Sequence, residues 1–182
     1  MIGLLDVLKV VVSRFEDEGI EYFMVGSMAT MYYGQPRFTR DLDIVARIRP
    51  RQVLGFENLF PLSEFYCPPL EVIQDEVQRK GCFNLIHQES GIKVDIVLDK
   101  ETEFYNSEFA RRTKIKIADN FEVYLASPED LVLKKLDYYR EGESEKHLND
   151  IRDIIMNVKL DEEYLQFWIS KMGLVKEWSK LQ

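Results

Sequence analysis

The chain reads as an α/β protein: an α/β core to about residue 125, followed by an all-helical tail packed on it. Three observations carry this. Short apolar runs that alternate with period two recur between residues 22 and 125 and are separated by Gly, Asn, Asp and Ser turns. Helical-period segments stand between some of them. After Ala126 the period-two signal ends, and apolar residues recur every three to four positions to the end of the chain.

Leu4, Leu8, Val11 and Phe15 fall at helical spacing, with Asp6, Lys9, Arg14 and Asp17 opposite, and Gly19 is a stop. Tyr22 to Val25 reads as a buried strand. Ser27 to Tyr33 is a short helix ended by Gly34, with Pro36 beyond. Residues 41 to 46 alternate, with Asp41, Asp43 and Val45 on one face and Leu42, Ile44 and Ala46 on the other. One or two helices are expected over 50–80, broken near Pro61 and Pro68-Pro69. Phe83–His87 and Ile92–Leu98 form a strand pair around the polar turn Gln88-Glu89-Ser90-Gly91. Lys114–Ile117 and Phe121–Leu125 form a second hairpin around Ala118-Asp119-Asn120. Ser127-Pro128-Glu129-Asp130 starts a helix, with a serine cap, proline at the first position and an acid at the third. Helices are expected over 128–140, 146–157 and 161–180, with a break near Gly173. The expected division is a core over 1–125 and a helical region over 126–182.

With 182 residues and 46% hydrophobic content the chain can build one globular core. A net charge of -8 argues against broad, sequence-blind binding to nucleic acid. It leaves room for a local basic groove, either from Arg37, Arg40, Arg47, Arg49 and Arg51 or from Arg111, Arg112, Lys114 and Lys116, although a solvated surface explains both clusters as well. No apolar run reaches a membrane span of about 18 residues, and the first residues lack a basic export-type region. Cys67 and Cys82 form neither a disulfide framework nor a metal-ligand spacing. These features lead to the expectation of a cytoplasmic protein with no membrane partner.

Several segments carry candidate chemistry. Gly26-Ser27 lies at a strand-to-helix turn, where a glycine lets the backbone approach a phosphate and the helix start offers free N–H groups. Taken alone, it is better explained as an ordinary tight turn with a helix cap; the downstream aspartates favour the phosphate reading. Asp41 and Asp43 leave the same face of a strand, with Cα atoms about 6.5–7 Å apart, so each can reach a hard cation or share one. Asp95, whose neighbours Val94 and Ile96 claim the core face, is the candidate third acid for a two-ion clamp. Lys135 lies within the apolar stripe Leu131, Val132 and Tyr139, where its ammonium needs an anion such as a triphosphate or must snorkel to water; Lys134 falls at the edge of that stripe. Asp150, at the rim of the next helix's apolar face, is a weaker candidate for orienting Lys135 or activating an acceptor. There is no P-loop, hydrolase triad or zinc spacing.

Gly26-Ser27, Ala29, Gly34, Arg37, Thr39, Asp41, Asp43 and Asp95 together resemble the polymerase-β-type nucleotidyltransferase superfamily, and within it the AbiEii-like branch of abortive-infection toxins. Residues Ser127 to Leu136 and Lys146 to Ile151 are similar to that branch's C-terminal segments. The resemblance implies a small mixed β-sheet flanked by helices with a helical C-terminal part. It implies magnesium, two ions in the full clamp, on Asp41, Asp43 and Asp95, and a nucleoside triphosphate held by Gly26, Ser27, Arg37, Thr39 and Lys135. The reaction it implies is transfer of a nucleoside monophosphate to an acceptor hydroxyl on tRNA, protein or a small molecule such as an antibiotic. Its alternatives are a non-catalytic nucleotide-binding module and a partner of an antitoxin. The chain is short for a toxin of that branch, and the acidic tail disfavours tRNA.

Overall fold

The computed structural model describes residues 2–36 and 38–181. Helix α1 (Leu4–Asp17) buries Val7, Leu8, Val11, Val12 and Phe15, the stripe that its spacing predicts. Strand β1 (Glu21–Met24) leads through Val25 into α2 (Gly26–Tyr33), and β2 (Asp41–Arg47) follows. The proline-rich stretch breaks into two single turns, α3 (Pro50–Val53) and α4 (Phe56–Leu59), and a two-residue strand, β3 (Phe65–Tyr66). Helix α5 (Leu70–Arg79) then starts directly after Pro69. The hairpin β4 (Cys82–His87) and β5 (Lys93–Leu98) is followed by α6 (Glu103–Arg111) and the hairpin β6 (Thr113–Ala118) and β7 (Phe121–Leu125). The helical tail comprises α7 (Pro128–Gly142), α8 (Glu145–Asn157), α9 (Glu162–Met172) and α10 (Val175–Trp178), with the expected break at Gly173.

The strands form one mixed sheet in the order β3-β4-β5-β2-β1-β7-β6. Central β2 pairs antiparallel with β1 and parallel with β5. Its Leu42, Ile44 and Ala46 are buried on one face, where Phe15, Phe56 and Phe60 form a connected set of rings that reaches Tyr22 and Phe83 of the sheet. Aromatic packing of this kind dominates core energetics because each ring removes a large apolar area from water.

On the opposite face, α6 covers one end. Phe109 of α6 packs edge-on against Phe23 at 4.9 Å, and the Arg47 guanidinium lies 4.1 Å from the Phe109 ring centre. Val45, which shares a face with Asp41 and Asp43, sits beside Phe23 and Val97 and is buried, whereas Asp41 is exposed and Asp43 and Asp95 are half-buried. Helix α6 is absent from the sequence-based expectations. Its start signal is Thr102, whose hydroxyl accepts from the Tyr105 amide, with Glu103 in the first turn.

Ser127 caps α7 as its sequence predicts: its hydroxyl accepts from the Asp130 amide and donates to the Asp130 carboxylate at 2.8 Å. The Tyr164 hydroxyl of α9 donates to the other Asp130 oxygen, so the cap also docks α9. Lys134 differs from expectation, being buried rather than marginal, because α6 supplies Glu108 at 3.1 Å and a Tyr105 ring at 4.2 Å.

Burial pushes the Glu108 carboxyl up to about 8, with Lys134 acting in the other direction. A group whose folded-state pKa is raised contributes stability that is fully present below its unfolded value of 4.5 and is lost as pH rises towards about 8. Glu108→Gln should therefore gain stability relative to wild type as pH rises through that interval in denaturant titrations; parallel pH profiles would contradict this placement of the proton.

Candidate active site

The turn between β1 and α2 is shaped by its contact with β2. Gly26 adopts a φ of +62°, and a Cβ built there would stand 1.9 Å from Oδ2 of Asp43. Both the left-handed backbone and the missing side chain are therefore required. The Val25 amide donates to the Asp43 carbonyl at 2.9 Å, the Ser27 amide donates to the Asp43 carboxylate, and Thr30 Oγ1 donates to the Gly26 carbonyl at 2.7 Å. The first turn of α2 thus closes over Asp43.

The parallel register of β2 with β5 places Asp43 opposite Asp95 and Asp41 opposite Lys93. Neighbouring strands lie about 4.8 Å apart, so these side chains crowd one another. Burial raises the Asp43 pKa most, followed by the charge of Asp95 and then of Asp41; the Ser27 amide and Lys93 work against the rise. Asp95 is held through both oxygens: Asn84 Nδ2 donates to Oδ1 at 3.2 Å and Lys93 Nζ lies 2.8 Å from Oδ2. The Thr39 hydroxyl donates to the Asp41 carbonyl at 3.3 Å and so shapes the entry to β2. Arg37 lies outside the described residues.

The structure brings Gly26, Ser27, Asp41, Asp43 and Asp95 into one constellation. Among the described residues no three His, Cys, Asp or Glu side chains converge as a ready metal cluster, since Asp43 faces the α2 turn and Asp95 faces Lys93 and Asn84. The donor set nevertheless fits a divalent cation: oxygen-only ligands, one strand pair, and mutual repulsion that a cation would relieve. Lys93 and Asn84 escape the sequence reading. Extending the alternation of β5 back by two residues finds Lys93, but Asn84 needs the hairpin register.

Lys135 does meet an anion, and the anion is internal: its Nζ lies 2.6 Å from Oδ2 of Asp150, with both side chains buried. The pair joins α7 to α8. Helix α8 in turn abuts the C-terminal end of α2, where a Cβ on Gly34 would meet Asp153 at 3.2 Å. Tyr138, further along α7, lies within electrostatic reach of Asp43, and burial raises its pKa. The second basic cluster is consumed internally. Arg111 lies 2.9 Å from Glu129, Arg112 3.1 Å from Glu21, Lys114 3.7 Å from Glu122 and Lys116 3.0 Å from Asp119.

No family model and no curated protein matches the chain. Solved structures do. An antigenic nucleotidyltransferase-like protein from Paracoccidioides brasiliensis aligns at 24% identity over 82% of this chain and 72% of its own, with a TM-score of 0.55. The antibiotic-resistance factor ANT(2″)-Ia aligns at 10% identity over 97% and 96%, with a TM-score of 0.54. A candidate nucleotidyltransferase from Thermotoga maritima aligns at 18% identity over 78% and 88%, with a TM-score of 0.53. The fold is therefore the polymerase-β-type nucleotidyltransferase fold. No helix among the described residues is long and apolar enough to cross a membrane.

Two stability measurements check this geometry. Gly26→Ala should cost about 1–3 kcal/mol from backbone strain, with further loss from the overlap with Asp43; a neutral substitution would contradict the turn conformation. Asp150→Ala should cost about 3–5 kcal/mol by leaving a buried ammonium without this carboxylate; a loss below about 1 kcal/mol would place the pair in solvent.

Proposed function

We propose that the chain is a magnesium-dependent nucleotidyltransferase that moves a nucleoside monophosphate from a nucleoside triphosphate to an acceptor hydroxyl and releases pyrophosphate. The observation that supports this best is the in-register pairing of Asp43 with Asp95 beneath the Gly26-Ser27 turn. Asp41, Asp43 and Asp95 would hold magnesium, which supplies Lewis-acid polarisation of the phosphate and acidification of the acceptor hydroxyl when bound. Gly26 lets the backbone approach the triphosphate, and Ser27 belongs to the same cradle while its amide braces Asp43. Arg37 and Thr39 are assigned to the nucleotide, as is the charge of Lys135, which Asp150 orients. Asn84, which donates to Oδ1 of Asp95, would fix the direction of that carboxylate. Residues 1–125 would carry the transfer site, and residues 126–182 would close it through α7 and α8.

The acceptor we favour is a small molecule or a protein side chain rather than tRNA. Arg111 and Arg112 are engaged with Glu129 and Glu21, and the net charge is -8. A structural neighbour, ANT(2″)-Ia, has been seen in complex with adenylyl-2″-tobramycin, with a TM-score of 0.53 to this chain. A second reading, an AbiEii-like toxin that modifies RNA or protein and is paired with an antitoxin, draws its support from the Gly-Ser and Asp-x-Asp pattern and from Lys146 to Ile151.

Incubation with each labelled triphosphate and magnesium, with RNA, protein and aminoglycoside or lincosamide acceptors, tests the proposal. Asp43→Asn and Asp95→Asn should each lower transfer by about a hundredfold or more. Asp43→Asn should melt no lower than wild type, because it removes a like charge from a crowded row. Absence of both label transfer and nucleotide binding in the wild type would overturn the proposal.

A further inference from the structure

We infer that Lys93 is a built-in counter-cation for the aspartate row, and that a divalent cation entering the site must displace its ammonium from Asp95. The inference rests on the proposed cation-binding role of Asp41, Asp43 and Asp95.

Lys93 and Asp95 are i and i+2 on β5, so both side chains leave the same face of the sheet. Across the strand pair Lys93 lies opposite Asp41, and Asp95 lies opposite Asp43. Lys93 is therefore the one cationic residue in a set of four neighbouring positions whose other three are aspartates. Its Nζ lies 2.8 Å from Oδ2 of Asp95, the oxygen that Asn84 leaves open to a cation. The lysine stem is flexible and its side chain is 40% exposed, so it can leave without repacking the core. Asn84 stays on the other Asp95 oxygen and preserves the direction of the carboxylate while Oδ2 is exchanged.

The arrangement resolves an electrostatic problem in the fold. Three carboxylates on one face of two paired strands repel one another, and Asp43 is half-buried. One resident positive charge reduces that repulsion. It also sets a threshold, because a cation must outcompete an intramolecular partner. An ordinary exposed ion pair would stabilise the fold only slightly and would leave cation affinity unchanged. A counter-cation makes the opposite prediction: removing a favourable interaction should improve cation binding.

The test is calorimetric titration of Mn2+ into the folded full-length protein, with Asp43→Asn as the reference for loss of the site. Lys93→Met, with Lys93→Gln as a second variant and circular dichroism to verify folding, should bind Mn2+ about fivefold or more tighter than wild type, within the range by which one neighbouring charge shifts a carboxylate equilibrium. Lys93→Arg, which keeps the charge, should stay near wild type. Unchanged or weaker Mn2+ binding in Lys93→Met and Lys93→Gln, with binding still lost in Asp43→Asn, overturns the inference and leaves the cation site standing. Absence of Mn2+ binding in wild type and Lys93 variants alike overturns the cation site, and the inference with it.

Discussion

Like-charge crowding between Asp43 and Asp95 is the interaction around which the site is organised. The two carboxylates stand opposite each other on paired strands, with Asp41 two residues away. Three groups offset that repulsion, the Ser27 amide on Asp43 and Asn84 and Lys93 on Asp95, while Gly26 leaves the space that the Asp43 carboxylate occupies. The sheet behind them supplies rigidity. Leu42, Ile44, Val94 and Ile96 are fully buried on the reverse face, so β2 and β5 cannot slip by a residue without turning that apolar set into solvent.

The C-terminal helices are held by a related device used twice. Adjacent lysines on α7 meet acids from different directions, Lys134 with Glu108 of α6 and Lys135 with Asp150 of α8. Buried pairs contribute little net stability relative to apolar packing, but losing one partner is costly, so they constrain orientation. Through them α7 is fixed both to the helix that covers one end of the site face and to the helix that abuts α2.

Much of this was legible in the chain because periodicity is local. The alternation around Asp41 and Asp43 and around Asp95, the cap at Ser127 and the break at Gly173 all appear where their patterns place them. The parallel register that sets Asp43 against Asp95 was not legible, since β2 and β5 are separated by three helices, a strand and the first arm of a hairpin. For the same reason the Arg112 partner, Glu21, lies 91 residues away, and a cluster that reads as a basic track is neutralised in the fold. The apolar stripe around Lys135 calls for an anion or an exit to water, and only the helix packing reveals Asp150 within 2.6 Å.

Anomalous diffraction from crystals soaked with Mn2+ and a triphosphate would locate the cation without reference to turnover. The expected result is a Mn2+ peak within about 2.0–2.3 Å of carboxylate oxygens from both Asp43 and Asp95, with the triphosphate beside the Gly26-Ser27 turn. A triphosphate bound elsewhere, or Mn2+ bound without these two aspartates, would contradict it.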